Sequence, residues 1–282
     1  MLTCWLVRAT PELPEITVIG RQMDKELKGK RIASIDVKQP KNLNMPVQKF
    51  VKICVGKTVE GVSSRGKWLF MQLGSTHTLL INLGMGAELL YFKPDQKLPQ
   101  KHQFRLTFSD KTGLTIHFWW FGYVHLVQEK DLSKHKMTSV LGVSPVDKEF
   151  TLEHFKKLLG GKKTAIKSFV LDQKKMAGIG NVYAQDILFK ARLHPSRKAS
   201  TLSETEVKTL HEAIREVLNH SIKLGGLAYE MDFYGKKGRF GADKFLVGYK
   251  AGKPCPECGT TIEKIRTGST ATYICPKCQP LK

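Results

Sequence analysis

Apolar and polar residues alternate through much of the first half of the chain, from about residue 31 to residue 127. The alternation is clearest in two runs, Phe104 to Phe108 and Leu114 to Phe118, which are separated by turn-forming residues at 110–113. A period of two residues predicts half-buried β-strands, and the turn between the two runs predicts a hairpin. The first half of the chain is therefore expected to be rich in β-structure.

Helical periodicity replaces the alternation on both sides of this segment. Before it, Pro14 and Gly29 stand at the expected ends of an amphipathic helix. After it, a long helix is expected between the capping box of Ser203 and Glu206 and the glycine pair at 225–226. Periodicity weakens around residues 130–147, where we place the boundary between a β-rich half and a helical half.

Four of the six cysteines form two CxxC pairs near the C-terminus, separated by residues 259–274. This spacing is typical of a zinc ribbon, in which each pair supplies two thiolates to one tetrahedral ion. Two disulfides are the alternative, but they require an oxidising compartment that nothing in the sequence supports. We therefore expect one structural Zn²⁺ bound by Cys255, Cys258, Cys275 and Cys278.

Composition adds a strong positive charge. Hydrophobic residues make up 41% of the 282 residues, which is typical of a folded protein. Lys and Arg number 46 against 25 Asp and Glu, a formal net charge of +21. This excess favours a polyanionic partner, with nucleic acid as the first candidate and a ribosome-associated or membrane-surface protein as alternatives.

Membrane insertion and secretion are not expected from the sequence. No apolar run approaches the ~20 residues that span a bilayer. The apolar stretch at the start of the chain is too short for a signal peptide, and Arg8 interrupts it. We therefore expect a cytoplasmic protein without a membrane partner.

A glycine-rich turn precedes another expected helix, which begins near Asn181. The sequence Gly178-Ile-Gly-Asn181 follows Lys162, Lys163 and Lys167. The N-terminus of a helix offers backbone N–H groups to an anion, and the lysines favour an anion-binding turn over an ordinary glycine turn.

Six motifs occur in one order along the chain: PELPEI at 11–16, SRGKW at 64–68, NLGM at 82–85, KKTAIK at 162–167, GIGNVYAQDILF at 178–189, and the two CxxC pairs. Together they resemble the formamidopyrimidine-DNA glycosylase and endonuclease VIII family, most closely its formamidopyrimidine-DNA glycosylase (8-oxoguanine DNA glycosylase) branch. The resemblance implies an α+β fold with an N-terminal helix on a two-layer β-sandwich, a helix-two-turns-helix domain and a C-terminal zinc-ribbon finger. The corresponding ranges are 11–135, 148–235 and 245–282.

The resemblance also implies catalytic residues. Family members attack C1′ of the damaged nucleotide with the secondary amine of an N-terminal proline, which Pro11 matches. Glu12 corresponds to the acid that protonates the opening deoxyribose ring, a role that burial favours. Lys67 corresponds to a lysine directed at the phosphate beside the lesion. Glu15 has a supporting role only, because the helix dipole favours an acidic residue in any first turn.

Further residues correspond to DNA contacts of the family. Asn181 matches an asparagine that binds the backbone beside the flipped nucleotide, and Lys163 lies in the basic segment before it. Met85 matches the residue that fills the gap left by that nucleotide, and Phe121 matches an aromatic wedge. For both apolar residues, packing in the core is an equally good interpretation.

Three positions depart from the family pattern. Asn82 replaces a histidine, and it can still bind a phosphate without carrying a charge. Trp119 and Trp120 replace an arginine pair, one member of which reads the base opposite the lesion, so Trp119 would stack there instead of donating the same hydrogen bonds. Thr270 replaces a zinc-finger arginine that contacts lesion phosphates, and Arg266 is the nearest basic residue that could substitute for it.

The expected function is that of a bifunctional DNA glycosylase and AP lyase of base excision repair. It would remove oxidised purines (8-oxoguanine and formamidopyrimidines) from damaged double-stranded DNA, as a monomer associated with the nucleoid. Three alternatives stay open: an oxidised-pyrimidine glycosylase of the endonuclease VIII type, a catalytically silent protein that binds DNA lesions, and a zinc-ribbon translation factor.

The position of Pro11 inside the sequence conflicts with its expected chemistry. While Thr10 precedes it, the nitrogen of Pro11 is an amide whose lone pair is delocalised into the carbonyl group, so it cannot attack a sugar carbon. We expect the first ten residues to be absent from the working protein. The alternative is that another amine, such as that of Lys67, performs the lyase chemistry.

Overall fold

The computed structural model describes residues 10–281, which divide into two compact units. The first unit contains Pro11, residues 15–139 and residues 228–238, and the second contains residues 12–14, 140–227 and 239–281. The division after residue 139 falls within the segment of weak periodicity, while the three domain ranges given above stay predictions. The expected removal of the N-terminal segment concerns residues that, apart from Thr10, lie outside the described part. Within that part, no helix combines the length and the apolar character needed to cross a bilayer.

The first unit contains the expected amphipathic helix, α1 (Leu13–Leu27), from Glu15 onward. Its apolar face is buried, and Met23 and Leu27 are completely inaccessible to solvent. The following elements are β1 (Ile32–Val37), α2 (Val47–Cys54), β2 (Val59–Arg65), β3 (Trp68–Leu73), β4 (His77–Asn82), β5 (Glu88–Phe92), β6 (Phe104–Phe108), β7 (Gly113–His117) and β8 (Tyr123–Gln128), with short 3-10 helices at Pro40–Asn42 and Glu129–Lys134.

The strands form two antiparallel sheets that make a β-sandwich. One sheet has the order β1-β6-β7-β5 and the other the order β2-β3-β4-β8. The predicted hairpin is confirmed, since Phe104 pairs with Ile116 and Leu106 with Leu114. Alternate residues of β6 are buried in a core to which both sheets contribute.

A late segment of the chain completes the first unit. Phe233 is fully buried in the core of the sandwich, and its carbonyl oxygen accepts a hydrogen bond of 2.8 Å from the N–H of Tyr91. The side chain of Gln22 on α1 accepts from the N–H of Phe233 at 2.9 Å and donates to Asp232 at 2.8 Å. The sandwich therefore includes residues far from it in sequence.

The second unit contains the helices and the zinc hairpin. Its elements are α3 (Leu152–Leu159), α4 (Ile166–Val170), α5 (Asn181–Lys190), a 3-10 helix at Ala199–Thr201, α6 (Glu204–Lys223), β9 (Glu263–Thr267) and β10 (Thr270–Ile274). The capping box is confirmed, since the hydroxyl of Ser203 accepts from the N–H of Glu206 and the Glu206 carboxylate accepts from the N–H of Ser203. α5 is buried along most of its length.

Candidate catalytic and DNA-binding residues

Glu12 lies at the N-terminus of α5 and is held there by backbone donors. One carboxylate oxygen accepts from the N–H of Gly180 at 2.7 Å, and the other accepts from the N–H of Val182 at 3.1 Å. The side chain is only 3% exposed. The N–H groups and the dipole of a helix N-terminus stabilise a carboxylate. Glu12 is therefore a buried carboxylate in a single orientation, and its role as an acid stays a prediction.

The glycine turn before α5 binds an anion, but that anion belongs to the chain itself. The sequence pattern assigned the N–H groups of this turn to a phosphate, whereas two of them donate to Glu12. The N–H of Leu13 also donates to the carbonyl oxygen of Gly178 at 3.0 Å. Gly178 has a φ of +105°, which side-chain-bearing residues rarely adopt, so this turn requires glycine. Two N–H donors at this helix N-terminus are thus occupied by a carboxylate of the chain, and phosphate binding by the turn stays a prediction.

Pro11 and Glu15 flank this segment, and both are buried. Glu15 lies in the first turn of α1, where the helix dipole favours it, and its side chain is 3% exposed. Pro11 precedes the helix. Neither position alone assigns a chemical role, and the catalytic function of Pro11 stays a prediction.

Lys67 lies in the tight turn between β2 and β3, where Gly66 has a φ of +60°. Its side chain is half-buried. Asn82, at the end of β4, donates from its amide nitrogen to the carbonyl oxygen of Lys67 at 2.9 Å. The amide oxygen of Asn82 accepts from the N–H of Gly84 at 3.0 Å. The residue considered as an uncharged phosphate ligand therefore orients two loops of the sandwich through their backbones.

The loop that carries Met85 touches the aromatic loop, which we define as residues 118–122 between β7 and β8. A Cβ atom at Gly84 would lie 1.8 Å from the carbonyl oxygen of Phe121, so only glycine permits this approach. Trp119 is 45% exposed, and Phe121 is 46% exposed. Core packing is thus the wrong interpretation for Phe121, while Met85 is half-buried.

Trp120 is the most exposed member of the aromatic loop, at 72%. The ring of Trp119 lies against His117, with 4.9 Å between the ring centroids. Exposed tryptophans on adjacent positions form a surface on which planar groups can stack. The aromatic loop can therefore contact nucleobases but offers no guanidinium group to read them.

The basic residues proposed for DNA contact occupy exposed positions of the second unit. Lys163 lies in the loop between α3 and α4, and Arg266 lies in β9. Arg266 pairs across the hairpin with Ala271, whereas Thr270 pairs with Thr267. Because neighbouring residues of a strand point to opposite faces, Arg266 and Thr270 lie on opposite faces of the hairpin. Arg266 therefore does not occupy the place of the arginine that Thr270 replaces.

Lys167 is buried under the zinc hairpin, whereas its sequence pattern indicates only one of three lysines near a glycine turn. It is 3% exposed, and its ammonium donates to the hydroxyl groups of Thr267, Thr270 and Thr272 at 3.1, 2.8 and 2.7 Å. Burial lowers the pKa of Lys167 from 10.5 to about 8.

Polar residues of α5 connect the helix to the zinc-binding segment. Gln185 accepts from the N–H of Tyr273 at 3.1 Å and donates to the carbonyl oxygen of Ala271 at 3.2 Å. Asn181 donates to the same oxygen at 3.4 Å, and its own amide oxygen is buried without a hydrogen-bond partner among residues 10–281. These contacts fix the hairpin against the N-terminal half of α5.

Asp186 holds the loop that leads into the zinc finger. Its carboxylate accepts from three successive N–H groups, those of Leu246, Val247 and Gly248, at 2.9, 3.0 and 2.9 Å. Burial raises the pKa of Asp186, and these N–H donors act in the opposite direction. In the sequence, only the polar pair at residues 185–186 within an otherwise apolar helix indicated this role.

The four C-terminal cysteines have the geometry of a zinc site. Their sulfur atoms all lie within 4.8 Å of one another, with 3.9 Å between Cys255 and Cys278 and 3.5 Å from Cys258 to both Cys275 and Cys278. A tetrahedral ion with Zn–S bonds of about 2.3 Å places its ligands about 3.8 Å apart. The thiols are not paired as disulfides. The donor set therefore fits one structural Zn²⁺, as predicted.

Three family models match the chain. The formamidopyrimidine-DNA glycosylase N-terminal domain matches residues 10–122, the formamidopyrimidine-DNA glycosylase H2TH domain matches residues 141–232, and the zinc finger found in FPG and IleRS matches residues 252–281. Together these matches cover both compact units.

Curated relatives and solved structures are similar over almost the whole chain. Formamidopyrimidine-DNA glycosylase of Pelotomaculum thermopropionicum is 36% identical over 96% of this chain and 100% of its own length. The enzyme of Chloroflexus aurantiacus is 34% identical over 95% and 97%. Lactococcus lactis Fpg with abasic-site DNA shares 29% identity over 95% of this chain and 99% of its own, with a TM-score of 0.86. Its complex with Fapy-dG DNA gives 28% identity, 95% and 100% coverage, and the same TM-score.

Proposed function

The chain belongs to the formamidopyrimidine-DNA glycosylase family, and we propose that it is a bifunctional glycosylase and AP lyase that removes oxidised purines from duplex DNA. The burial of Glu12 at the N-terminus of α5 is the structural observation that carries this proposal. It places an oriented acid directly after the proline whose amine would be the nucleophile. The formal charge of +21 fits a polyanionic partner.

Pro11 would act once its nitrogen is a free secondary amine. A terminal amine titrates near pH ~8, so a useful fraction is neutral at physiological pH. The nitrogen lone pair attacks C1′ of the damaged nucleotide, the bond from C1′ to the base breaks, and the departing base gains a proton, balanced by the one that the amine loses. The bond from C1′ to O4′ then breaks as Glu12 delivers a proton to O4′ of the deoxyribose ring, and the nitrogen lone pair forms the C1′ iminium ion.

Strand cleavage follows from the positive charge of the iminium. The charge acidifies the C2′ proton, whose removal expels the 3′ phosphate by β-elimination, and hydrolysis of the iminium regenerates the amine. Lys67 would contribute through contact with a phosphate beside the lesion. The zinc ion holds the C-terminal finger in shape and takes no part in these steps.

Reductive trapping tests the proposal. Two chains, one beginning at Pro11 and one beginning at Met1, are incubated with borohydride and a duplex that contains 8-oxoguanine or an abasic site. We expect a covalent complex only with the first chain, because only there is the proline nitrogen an amine. N-terminal sequencing of protein from its native source should find Pro11 first.

Other outcomes would assign a different function. Trapping by the Met1 chain that is lost in Lys67→Ala would make Lys67 the nucleophile. Binding of damaged duplex by both chains without trapping would indicate a silent lesion-binding protein. Faster excision of an oxidised pyrimidine than of 8-oxoguanine would indicate the substrate preference of an endonuclease VIII-type enzyme.

A further inference from the structure

We propose that Lys167 and Thr270 form a phosphodiester contact of this protein, in which the buried ammonium polarises the threonine hydroxyl toward a DNA phosphate oxygen. This inference rests on the proposed function, since it takes duplex DNA as the ligand. In this contact Lys167, which lies on α4, supplies the positive charge on this face of the zinc hairpin.

The ammonium of Lys167 is fully occupied by neutral acceptors. Its three N–H groups face the three hydroxyls of Thr267, Thr270 and Thr272, and the carbonyl oxygen of Ala271 lies at 3.4 Å. All three threonines lie on one face of the hairpin, as the strand pairing requires. The hairpin therefore provides hydrogen-bond acceptors for the ammonium but no negative charge to balance it.

No carboxylate of residues 10–281 forms an ion pair with Lys167, and burial is the sole cause of its lowered pKa. A buried charge is costly unless a counter-charge or strong hydrogen bonds compensate it. The face of the hairpin next to Lys167 carries Ile265 and the three threonines, and α5 contributes the amides of Asn181 and Gln185. None of these side chains carries a negative charge, so among the described residues hydrogen bonds alone compensate the ammonium, and an anionic ligand would be a favourable counter-charge.

Thr270 is the hydroxyl of this network that can reach a ligand. Thr267 and Thr272 share a short hydrogen bond with each other, and Thr272 is 1% exposed. Within residues 10–281 the hydroxyl of Thr270 has only the carbonyl oxygen of Thr267 as an acceptor, at 3.5 Å. Thr270 and Thr267 are both half-exposed, but the hydroxyl of Thr267 is engaged with Thr272. Since its oxygen accepts from Lys167, its proton is more acidic and points away from the ammonium.

A purely anchoring role does not explain the charge of Lys167. Gln185 makes two hydrogen bonds to the backbone of β10, at 3.1 and 3.2 Å, and Asn181 makes a third. These uncharged contacts already fix the hairpin to α5. A neutral side chain at position 167 could fill the same space at a lower desolvation cost.

The test measures the affinity of the full chain for a duplex with a tetrahydrofuran abasic analogue at several salt concentrations. Thr270→Val removes the exposed hydroxyl, and Thr272→Val, its matched control, removes a buried hydroxyl that also accepts from Lys167. Lys167→Met removes the charge, and the double variant Lys167→Met with Thr270→Arg returns a cation to the same face. Zinc content and melting temperature monitor folding.

We expect Thr270→Val and Lys167→Met each to weaken binding about tenfold, as the loss of a charge-assisted hydrogen bond would. Lys167→Met should also reduce the slope of log affinity against log salt by about 0.9, and Thr270→Arg should restore that slope. Replacing single phosphates by neutral methylphosphonates should reveal one position at which the wild-type protein loses affinity and Thr270→Val does not.

Wild-type affinity and salt slope in zinc-loaded Lys167→Met and Thr270→Val would overturn the inference. So would equal losses in Thr270→Val and Thr272→Val with an unchanged slope, which is the pattern of a structural anchor. If Lys167→Met loses zinc, Thr270→Val and the methylphosphonate series decide alone, because they retain the lysine. Failure of the wild-type protein to bind the damaged duplex would instead remove the proposed function, and this contact with it.

Discussion

A carboxylate oxygen of Glu12 lies 2.7 Å from the backbone nitrogen of Gly180, which follows it by 168 residues. This hydrogen bond joins the PELPE segment to the N-terminus of a helix in the same compact unit. The orientation of the proposed acid therefore depends on the glycine turn. The sequence of that turn does not indicate that Glu12 is its partner.

Glu12→Gln should slow base removal strongly and leave lesion binding intact. Glutamine can accept from only one of the two N–H groups that Glu12 binds, and it cannot deliver a proton to the deoxyribose ring. The loss expected for a general acid is about 10²- to 10⁴-fold. Single-turnover excision by a chain that begins at Pro11 measures it, with Glu15→Gln as the matched buried control. Equal rates in Glu12→Gln and the parent chain would exclude the proposed role.

Asp186→Ala should destabilise the second unit. The substitution leaves the three N–H groups of residues 246–248 without their acceptor in a buried site, and each unsatisfied donor costs about 1–3 kcal/mol. The loss of stability is measured as a lower melting temperature in the presence of excess zinc. Asp243→Ala, at an exposed position of the same unit, is the control, with an expected change within about 0.5 kcal/mol. A melting temperature equal to that of the parent would contradict the capping role.

Cys258→Ser should lose zinc and duplex affinity together. Without the fourth thiolate the site no longer closes around the ion, and the hairpin of β9 and β10 is no longer fixed. Metal analysis and binding to an abasic-analogue duplex measure the two effects. Cys54→Ala, which removes a buried cysteine of the other unit, should keep its zinc. Normal duplex binding by zinc-free protein would contradict this expectation.

Discrimination of the base opposite the lesion should be weak. The aromatic loop presents two exposed tryptophans, which stack on any base and lack the donors of a guanidinium group. Excision rates with cytosine, adenine, guanine and thymine opposite 8-oxoguanine test this. Trp119→Ala should weaken binding by about 1–3 kcal/mol, and Trp119→Arg should increase the difference among the four bases. A strong preference in the wild-type protein would show that another residue reads that base.

Stability should fall as the pH decreases through the titration range of His125. Burial and the neighbouring His135 lower the pKa of His125 from 6.5 to about 4. Because this pKa lies below the unfolded value, the unfolded chain binds more protons between these limits. The stabilisation is complete above pH 6.5 and is lost as the pH falls toward 4. The melting temperature of the wild-type protein should decrease more than that of His125→Gln between pH 7.5 and 4.5, and parallel decreases would contradict the assignment.

The features predicted correctly from sequence are those with local causes. The hairpin of Phe104 and Leu114, the capping box at Ser203 and the zinc cysteines each depend on residues close together in the chain. In such segments the hydrophobic period and the spacing of turn or ligand residues largely determine the structure.

The features that sequence missed depend on distant partners. The residue type of Asn82 also suits a phosphate ligand. Only the structure shows that its amide nitrogen donates to the backbone carbonyl oxygen of Lys67. Lys167 carries the same pattern as its exposed neighbour Lys163, and only the packing of the hairpin separates the buried lysine from the exposed one. Strand register likewise excludes Arg266 from the face of Thr270, which sequence proximity had suggested.

The close approach of Gly84 to the carbonyl oxygen of Phe121 has a consequence for redesign of the sandwich. The two loops share one backbone surface, so neither can be transplanted by itself from a relative with a different sequence. A chimaera could exchange only residues 118–122 for a loop that contains an arginine. Its loop at residues 82–87 would then still have the shape that fits the original backbone of residues 118–122. Segments 82–87 and 118–122 therefore form the smallest interchangeable module, and variation in a library should be introduced into both together.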